Sequence, residues 1–321
     1  MKRFRLKSEL IWMQKESGIE TYYGNNYLNT VINTDDNEGF FSFLQFINIP
    51  RTDEEIAGYG LISQSKKDDI LLFLENKGYG YWISGTVEAL TRTEMFVNTF
   101  PKKFYQDYEI KVSEQRIIII GLGTAGSYLV EILGKLKFNH FVLIDGDSIE
   151  EKNLEAQNYL VNEIGKYKVE ALNDRYGEKY QITPHKKFIA NYQELNGLVD
   201  GLTDTDIIIN ASDDHELMLD LIQAKVDNKI SGPILVSGYG VLAQTAYLIK
   251  NYQTAIKFID RIKILIVNKK GAISENSGSV LNSFLGTYMV SELLLDYMLE
   301  KESVLAYGNF ETNEIHFDCT L

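Results

Sequence analysis

Residues 117–129 read IIIIGLGTAGSYL. Four β-branched apolar residues lead into Gly121-x-Gly123-x-x-Gly126, and a helical run, SYLVEILGKL (127–136), follows. A strand that turns on glycines into a helix lets a phosphate approach backbone N–H groups, where the helix N-terminus adds partial positive charge. The motif alone serves NAD and ATP equally, so the residues around it have to decide between them.

Working outward, RIIII (116–120), HFVLID (140–145), ITPHKKFI (182–189), TDIIINAS (205–212) and GPILVSGYG (232–240) read as strands. KYKVEALNDRYG and DHELMLDLIQAKV separate them as helices. Such alternation predicts an α/β fold with a doubly wound, mainly parallel, Rossmann-like sheet over residues 110–321. LNSFLGTYMVSELLLDYML (281–299) predicts a long helix, and a strand pair at about 303–319 closes the domain. Asp145 ends the second strand, where a carboxylate accepts ribose hydroxyls. Asp147 follows it, Lys166 and Lys168 open the next helix, and Asp213 and Asp214 end a later strand. In open α/β sheets the carboxyl ends of the strands surround the ligand. A lysine and several carboxylates there suit a triphosphate with Mg²⁺, a hard cation that prefers oxygen ligands. A nicotinamide enzyme has no evident use for them, and an NAD-dependent oxidoreductase is the lesser alternative.

Composition sets further bounds. The chain has 321 residues, 45% hydrophobic and 24% charged, which fits two soluble domains. Its formal net charge of −13 argues against nucleic acid and against an anionic membrane surface. The one cysteine, Cys319, supports neither a disulfide framework nor a Cys-rich zinc site, so no structural zinc is expected. MKRFRLKSELIWM has no signal-peptide apolar core, and no run reaches membrane-span length. The expectation is a cytoplasmic protein.

Residues 1–109 read as a small separate domain. IWM, IETYY and TVIN are short β-prone pieces broken by Gly24-Asn25-Asn26 and Asp35-Asp36-Asn37, and EGFFSFLQFI (38–47) is a buried helix. Thr52 and Glu55 form a capping box. Ser65 is placed as the cap of a helix ended by Gly78, and Tyr79–Ile83 returns as a strand. Together these predict a winged helix-turn-helix. Its candidate recognition helix, SKKDDILLFLENK, has balanced charges, which favours capture of an extended peptide by β-augmentation over DNA binding. By pattern, residues 5–85 resemble the PqqD-like leader-peptide recognition domains of enzymes that modify ribosomal peptides.

The larger domain resembles the E1-like (ThiF/MoeB-type) adenylating enzymes over about residues 114–240. Five pieces in order carry the resemblance: GLGTAGS (121–127), DGD (145–147), NLEAQ (153–157), GKYK (165–168) and SDD (212–214). Carried across by position, it implies Gly121 and Gly123 near the phosphates, with Gly126 and Asp147 in the same cofactor-binding set. It implies Asp145 on the ribose, and Asn153 and Lys168 on phosphate. Asp213 would serve Mg²⁺, and Gln157 would hold its segment in place. Each has an ordinary alternative: a solvated helix lysine for Lys168, a helix N-cap for Asp213, loop hydrogen bonding for Asn153 and Gln157. His215 reads as a capping or surface residue that could assist proton transfer, and Tyr239 as a pocket-lining residue.

The departures from the family pattern shape the functional expectation. The family arginine of N-L-x-R-Q is Ala156 here, and a cation on a transferring phosphate is worth on the order of 10³-fold or more in rate. Arg175, Arg261 and Arg5 are candidate replacements, and the family implies a homodimer in which a partner lends such a residue. Thr124 stands at the usual second glycine of GxGG. The family's catalytic cysteine and C-x-x-C zinc motifs are missing, which removes thioester and sulfur-transfer chemistry. The layout resembles the E1-like enzymes of peptide-antibiotic maturation, of microcin C and pantocin A type. It implies ATP-dependent adenylation of carboxylates on a precursor peptide bound through its leader, followed by intramolecular condensation. A catalytically degenerate scaffold that presents a leader peptide is the alternative. Residues 241–280, with Lys250, Lys257, Arg261, Lys263, Lys269 and Lys270, occupy the place of the family's crossover loop and read as a basic stretch suited to an acidic peptide or to solvent.

Overall fold

The computed structural model describes residues 2–23, 30–84, 91–100, 102–240, 242–268 and 278–321. The turn Gly24-Asn25-Asn26, Pro101, Lys269 and Lys270 lie outside them. The chain divides into two compact units, Met1–Glu109 and Ile110–Leu321.

In the first unit, β1 (Lys2–Leu6) is followed by a meander of β2 (Leu10–Lys15), β3 (Gly18–Tyr23) and β4 (Thr30–Ile32), paired antiparallel in that order. Then come α1 (Asn37–Ile47), β5 (Arg51–Thr52), α2 (Asp53–Ala57), α3 (Gln64–Lys77), β6 (Gly80–Ser84) and α4 (Arg92–Thr99). β1 pairs with β5 and β6 on either side. Phe4, Ile19, Phe43, Ile47 and Leu74 form the centre of a core shared by both small sheets and the helices. Thr52 and Glu55 make both bonds of the capping box. α3 begins two residues earlier than its sequence suggests: the cap is Ser63, extended and accepting from Lys66 N–H, rather than Ser65. It ends on Gly78, whose φ of +68° is the left-handed value that terminates helices. α5 (Tyr105–Ser113) carries the chain into the second unit.

The second unit contains β7 (Arg116–Ile120), α6 (Gly126–Lys135), β8 (His140–Ile144), α7 (Lys168–Tyr176), β9 (Gln181–His185), α8 (Tyr192–Leu198), β10 (Asp206–Asn210), α9 (His215–Val226) and β11 (Ile234–Tyr239). β12 (Ala243–Ile249), α10 (Tyr252–Asn268), α11 (Val280–Met298), β13 (Leu305–Asn309) and β14 (Glu314–Asp318) complete it. Among the described residues eight strands form one sheet, ordered β14-β13-β12-β11-β10-β7-β8-β9. β11 to β9 run parallel, and β12, β13 and β14 add antiparallel. The sheet is thus mostly parallel, the expected Rossmann-like architecture, with an antiparallel extension. The stretch read from sequence as the place of the crossover loop and its surroundings contains β12 and α10.

Ile117 to Ile120 are all buried because both sheet faces are covered, which is why the strand reads as an unbroken apolar run. α8, α9 and α10 pack one face through Leu195, Leu221 and Phe258. α6 and α11 pack against one another, with α11 against β12 and α7 against β9. The chain moves outward from β7 to β8 and β9, then returns to β10 on the other side of β7. That reversal opens a crevice at the carboxyl ends of β7 and β10, where open α/β sheets bind ligands.

Candidate active site

The glycine turn fills this crevice, and its three glycines differ in kind. Gly121 has φ +86°, and a Cβ there would stand 2.7 Å from Ser212 N, so the turn after β7 lies directly on the turn after β10. A Cβ on Gly126 would meet the Gly121 carbonyl at 1.9 Å. These two are needed by the fold itself. A Cβ on Gly123 would meet nothing nearer than Gln157 Nε2 at 3.9 Å. Among the described residues the space over Gly123 is therefore open, and no contact there explains that glycine. α6 starts without a side-chain cap, so no side chain competes for its N-terminal donors.

Asp145 props the turn from below. One carboxylate oxygen accepts Leu122 N–H at 2.7 Å and the other accepts Asp147 N–H at 2.8 Å. Burial pushes its carboxyl above the ordinary range, against the opposing pull of Lys168 and these two N–H groups. Lys168 is the first residue of α7 and is 5% exposed. Its Nζ lies 2.9 Å from Asp147 Oδ2 and 3.8 Å from Asp145 Oδ2. A solvated helix lysine is excluded; this is a buried cation held between two carboxylates beside the glycine turn. Lys166, by contrast, pairs with Asp174 away from this group.

At the end of β10 the two aspartates separate. Asp214 is the N-cap of α9, accepting Glu216 and Leu217 N–H at 2.9 Å each. Asp213 is exposed and has no hydrogen bond or ion pair among the described residues. The capping alternative thus belongs to Asp214, and the Asp213 carboxylate stays available. No group of three or more potential ligands stands ready for a metal among the described residues. One carboxylate is nonetheless a fitting donor set for Mg²⁺, which is commonly held by one or two carboxylates together with substrate phosphates and water.

The segment after β8 is less decisive. Asn153 Oδ1 accepts Glu150 N–H, closing a cap on the 3-10 helix Glu151–Glu155. Gln157 has a buried Oε1 without a partner, beside the open space at Gly123. An orphaned polar atom there fits a site completed by a ligand. His215 is the exposed first residue of α9. Arg175 is engaged with Asn158 and with Glu163 at 2.9 Å, and Arg261 lies over the Tyr247 ring. Arg5 belongs to the first unit.

Several residues that sequence did not single out complete the wall. Tyr159 Oη donates to the Leu122 carbonyl at 2.7 Å, and Ser127 Oγ accepts Asn158 N–H at 3.0 Å. From α11, Ser283 donates to the Ala156 carbonyl and Thr287 to the Ala125 carbonyl. Two hydroxyls one turn apart on a buried helix face were the available signal. Gly278 also abuts both Thr124 and Tyr239: a Cβ there would lie 2.9 Å from Thr124 Cγ2 and 3.4 Å from Tyr239 Cζ.

An open glycine turn, a buried lysine between carboxylates and an exposed aspartate after the neighbouring strand are the features of this site. The chain belongs to the ThiF family, whose model matches residues 96–294. Among solved structures it is similar to Escherichia coli MccB with AMPCPP and MccA (TM-score 0.70, 16% identity, 98% of this chain and 96% of that one). It is also similar to the microcin C7 biosynthetic enzyme MccB in complex with N-formylated MccA (TM-score 0.69, 15% identity, 99% and 96%). PaaA gives a TM-score of 0.68 at 16% identity over 97% of this chain and 98% of that one. At such identities these likenesses establish the fold. A curated relative, ubiquitin-like modifier-activating enzyme 5 of Caenorhabditis elegans, is 28% identical over 120 residues, 34% of this chain. The match spans only 28% of that relative's length. No described helix is long and apolar enough to cross a membrane.

Proposed function

We propose that the protein activates a carboxylate of a ribosomally made precursor peptide by adenylation, as a step towards intramolecular condensation in peptide natural-product biosynthesis. The observation that carries this reading is the Asp213 carboxylate, left without a partner among the described residues at the switch point while its neighbour caps α9. In the proposed step a substrate carboxylate oxygen attacks the α-phosphorus of ATP, the bond to the β-phosphate bridging oxygen breaks, and pyrophosphate leaves. The carboxylate is already a nucleophile and needs no general base, so positioning and charge neutralisation carry the catalysis. The α6 N-terminus and the open backbone at Gly123 receive phosphate, and Lys168 turns from Asp147 towards it. Asp145 accepts the ribose hydroxyls, and Asp213 holds Mg²⁺, which would neutralise phosphate charge. An internal nitrogen or carbon nucleophile of the substrate then attacks the acyl carbon, the bond from that carbon to the phosphate oxygen breaks, AMP leaves, and the nucleophile's proton passes to solvent. The first unit, read as a winged helix, takes the leader segment by strand addition. Cytoplasmic residence and assembly as a homodimer belong to the same proposal.

A peptide-dependent ATP–pyrophosphate exchange that disappears in Asp213→Ala supports this function. Tight peptide binding with no exchange would instead support the scaffold reading, which Ala156 and the engagement of Arg175 with Glu163 favour.

A further inference from the structure

We infer that Tyr159 is a positioning residue for the glycine turn: its hydroxyl holds the Leu122 carbonyl inward, which turns the Gly123 N–H out towards the phosphates of the nucleotide. This rests on the adenylation reading above and extends it to a residue that none of the five sequence pieces contains. The peptide joining Leu122 to Gly123 lies between the end of β7 and the start of α6, outside both. Two side chains grip the residue ahead of it. Asp145 accepts the Leu122 N–H at 2.7 Å, and Tyr159 Oη donates to the Leu122 carbonyl at 2.7 Å. The peptide is trans, so its carbonyl and the following N–H point opposite ways. A carbonyl turned in to Tyr159 therefore sends the Gly123 N–H the other way. That N–H has no acceptor among the described residues.

A buried tyrosine hydroxyl ordinarily finds some acceptor, so the bond by itself says little. What matters is the residue that follows the acceptor. Glycine tolerates either sign of φ, so the residue that leaves room for phosphate also lets its own peptide turn over. A turned peptide would aim a carbonyl oxygen at the phosphates and replace attraction by repulsion. The lock against this is itself anchored. Next to Tyr159, the Asn158 N–H donates to Ser127 Oγ at 3.0 Å, and Arg175 donates to the Asn158 carbonyl. The Arg175 guanidinium also lies 6.0 Å from the centre of the Tyr159 ring. Burial pushes the Tyr159 phenol well above its ordinary range, which keeps the hydroxyl a donor.

The test measures ATP binding with Mg²⁺ to the full chain by calorimetry, at a temperature where melts show each variant folded. Tyr159→Phe keeps the ring and removes the lock, and should weaken ATP on the order of tenfold, the worth of one hydrogen bond to a charged group. Asp206→Ala, which breaks the pair with Arg116 at the amino end of the sheet, is the control for destabilisation alone and should leave the affinity unchanged. In wild type labelled with ¹⁵N-glycine, ATP should move the Gly123 amide proton downfield, a readout that stands even if Tyr159→Phe fails to fold. Unchanged affinity in Tyr159→Phe, the same loss in Asp206→Ala, or an unmoved Gly123 amide in a chain that binds ATP would each overturn the assignment while the adenylation reading stands. A wild-type chain that does not bind ATP would remove both.

Discussion

Adjacent aspartates at the end of β10 should separate stability from catalysis in a crossed experiment. Asp214 accepts two N–H groups of the first turn of α9, and Asp213 accepts none. Replacing an N-cap aspartate by alanine costs about 1 kcal/mol, with a range of about 0.5–2. For a unit the size of residues 110–321 that lowers Tm by roughly 2–4 °C per kcal/mol. Asp214→Ala should therefore melt a few degrees early and retain most of its exchange activity at a temperature where it is folded. Asp213→Ala removes an exposed side chain, so its stability should stay within about 0.5 kcal/mol of wild type. If Asp213 holds the ion that neutralises the phosphates, its loss should cost on the order of 10²–10³ in rate, the scale of other preorganised charge-stabilising groups. Thermal denaturation and ATP–pyrophosphate exchange on the same preparations give both readouts. Destabilisation by Asp213→Ala together with full activity would refute the reasoning, as would an equal activity loss in both variants.

Three further outcomes follow from the geometry. Gly123→Ala should fold normally and lose ATP binding, whereas Gly126→Ala should fail to fold, because its Cβ would stand 1.9 Å from the Gly121 carbonyl; thermal melts and calorimetry separate the two. Asp206 is buried and pairs with the partly exposed Arg116 at 2.6 and 2.7 Å at the amino end of the sheet, so Asp206→Ala should cost about 1–3 kcal/mol in urea denaturation while the KM for ATP of the folded protein is unchanged. Burial lowers the Lys225 ammonium from 10.5 to about 8, with Nζ donating to the Ser231 and Gly232 carbonyls. Between those values the unfolded chain binds more protons, so this residue's contribution is present above 10.5 and lost as pH falls through about 8. The stability difference between wild type and Lys225→Met, followed by urea midpoints, should grow from pH 8 to pH 10; a flat difference would disprove it.

What could be read in advance was what short-range chemistry encodes. The Thr52–Glu55 box spans three residues, and both its bonds form. IIIIGLGTAGSYL gave a strand, a turn and a helix in sequence because strand burial and glycine geometry are local matters. Ser63 and Ser65 are equally good caps by type, and only the extended backbone at Ser63 chooses between them. β12 was missed because AQTAYLI has no clean alternation and follows a parallel series in which a helix was due. The walls of the site were illegible for a different reason. The Ser283 bond to the Ala156 carbonyl joins residues 127 apart, and the Tyr159 bond to the Leu122 carbonyl joins residues 37 apart. Residue types alone could pair Asp213 or Asp214 with α9; the bonds assign the cap to Asp214.

The substitution at Ala156 is best weighed as a charge balance. The second unit has three arginines, and each is occupied. Arg116 is held by Asp206 and the Val199 and Gly201 carbonyls at the far end of the sheet. Arg175 is shared between Asn158 and Glu163, and Arg261 covers Tyr247. Lys168 is the buried cation beside the glycine turn, and it already faces Asp147 and Asp145. One cation against two carboxylates cannot by itself favour a polyphosphate, since like charges within a few ångströms repel more strongly as water is excluded. Burial, with a smaller contribution from the Asp147 charge, already raises the Asp145 carboxyl before any ligand arrives. On the proposed function, nucleotide affinity should therefore lean on the divalent ion more heavily than in a site that keeps its arginine. Calorimetric titration of ATP at graded Mg²⁺ should show a steep dependence on the ion, and a flat one would refute this charge balance.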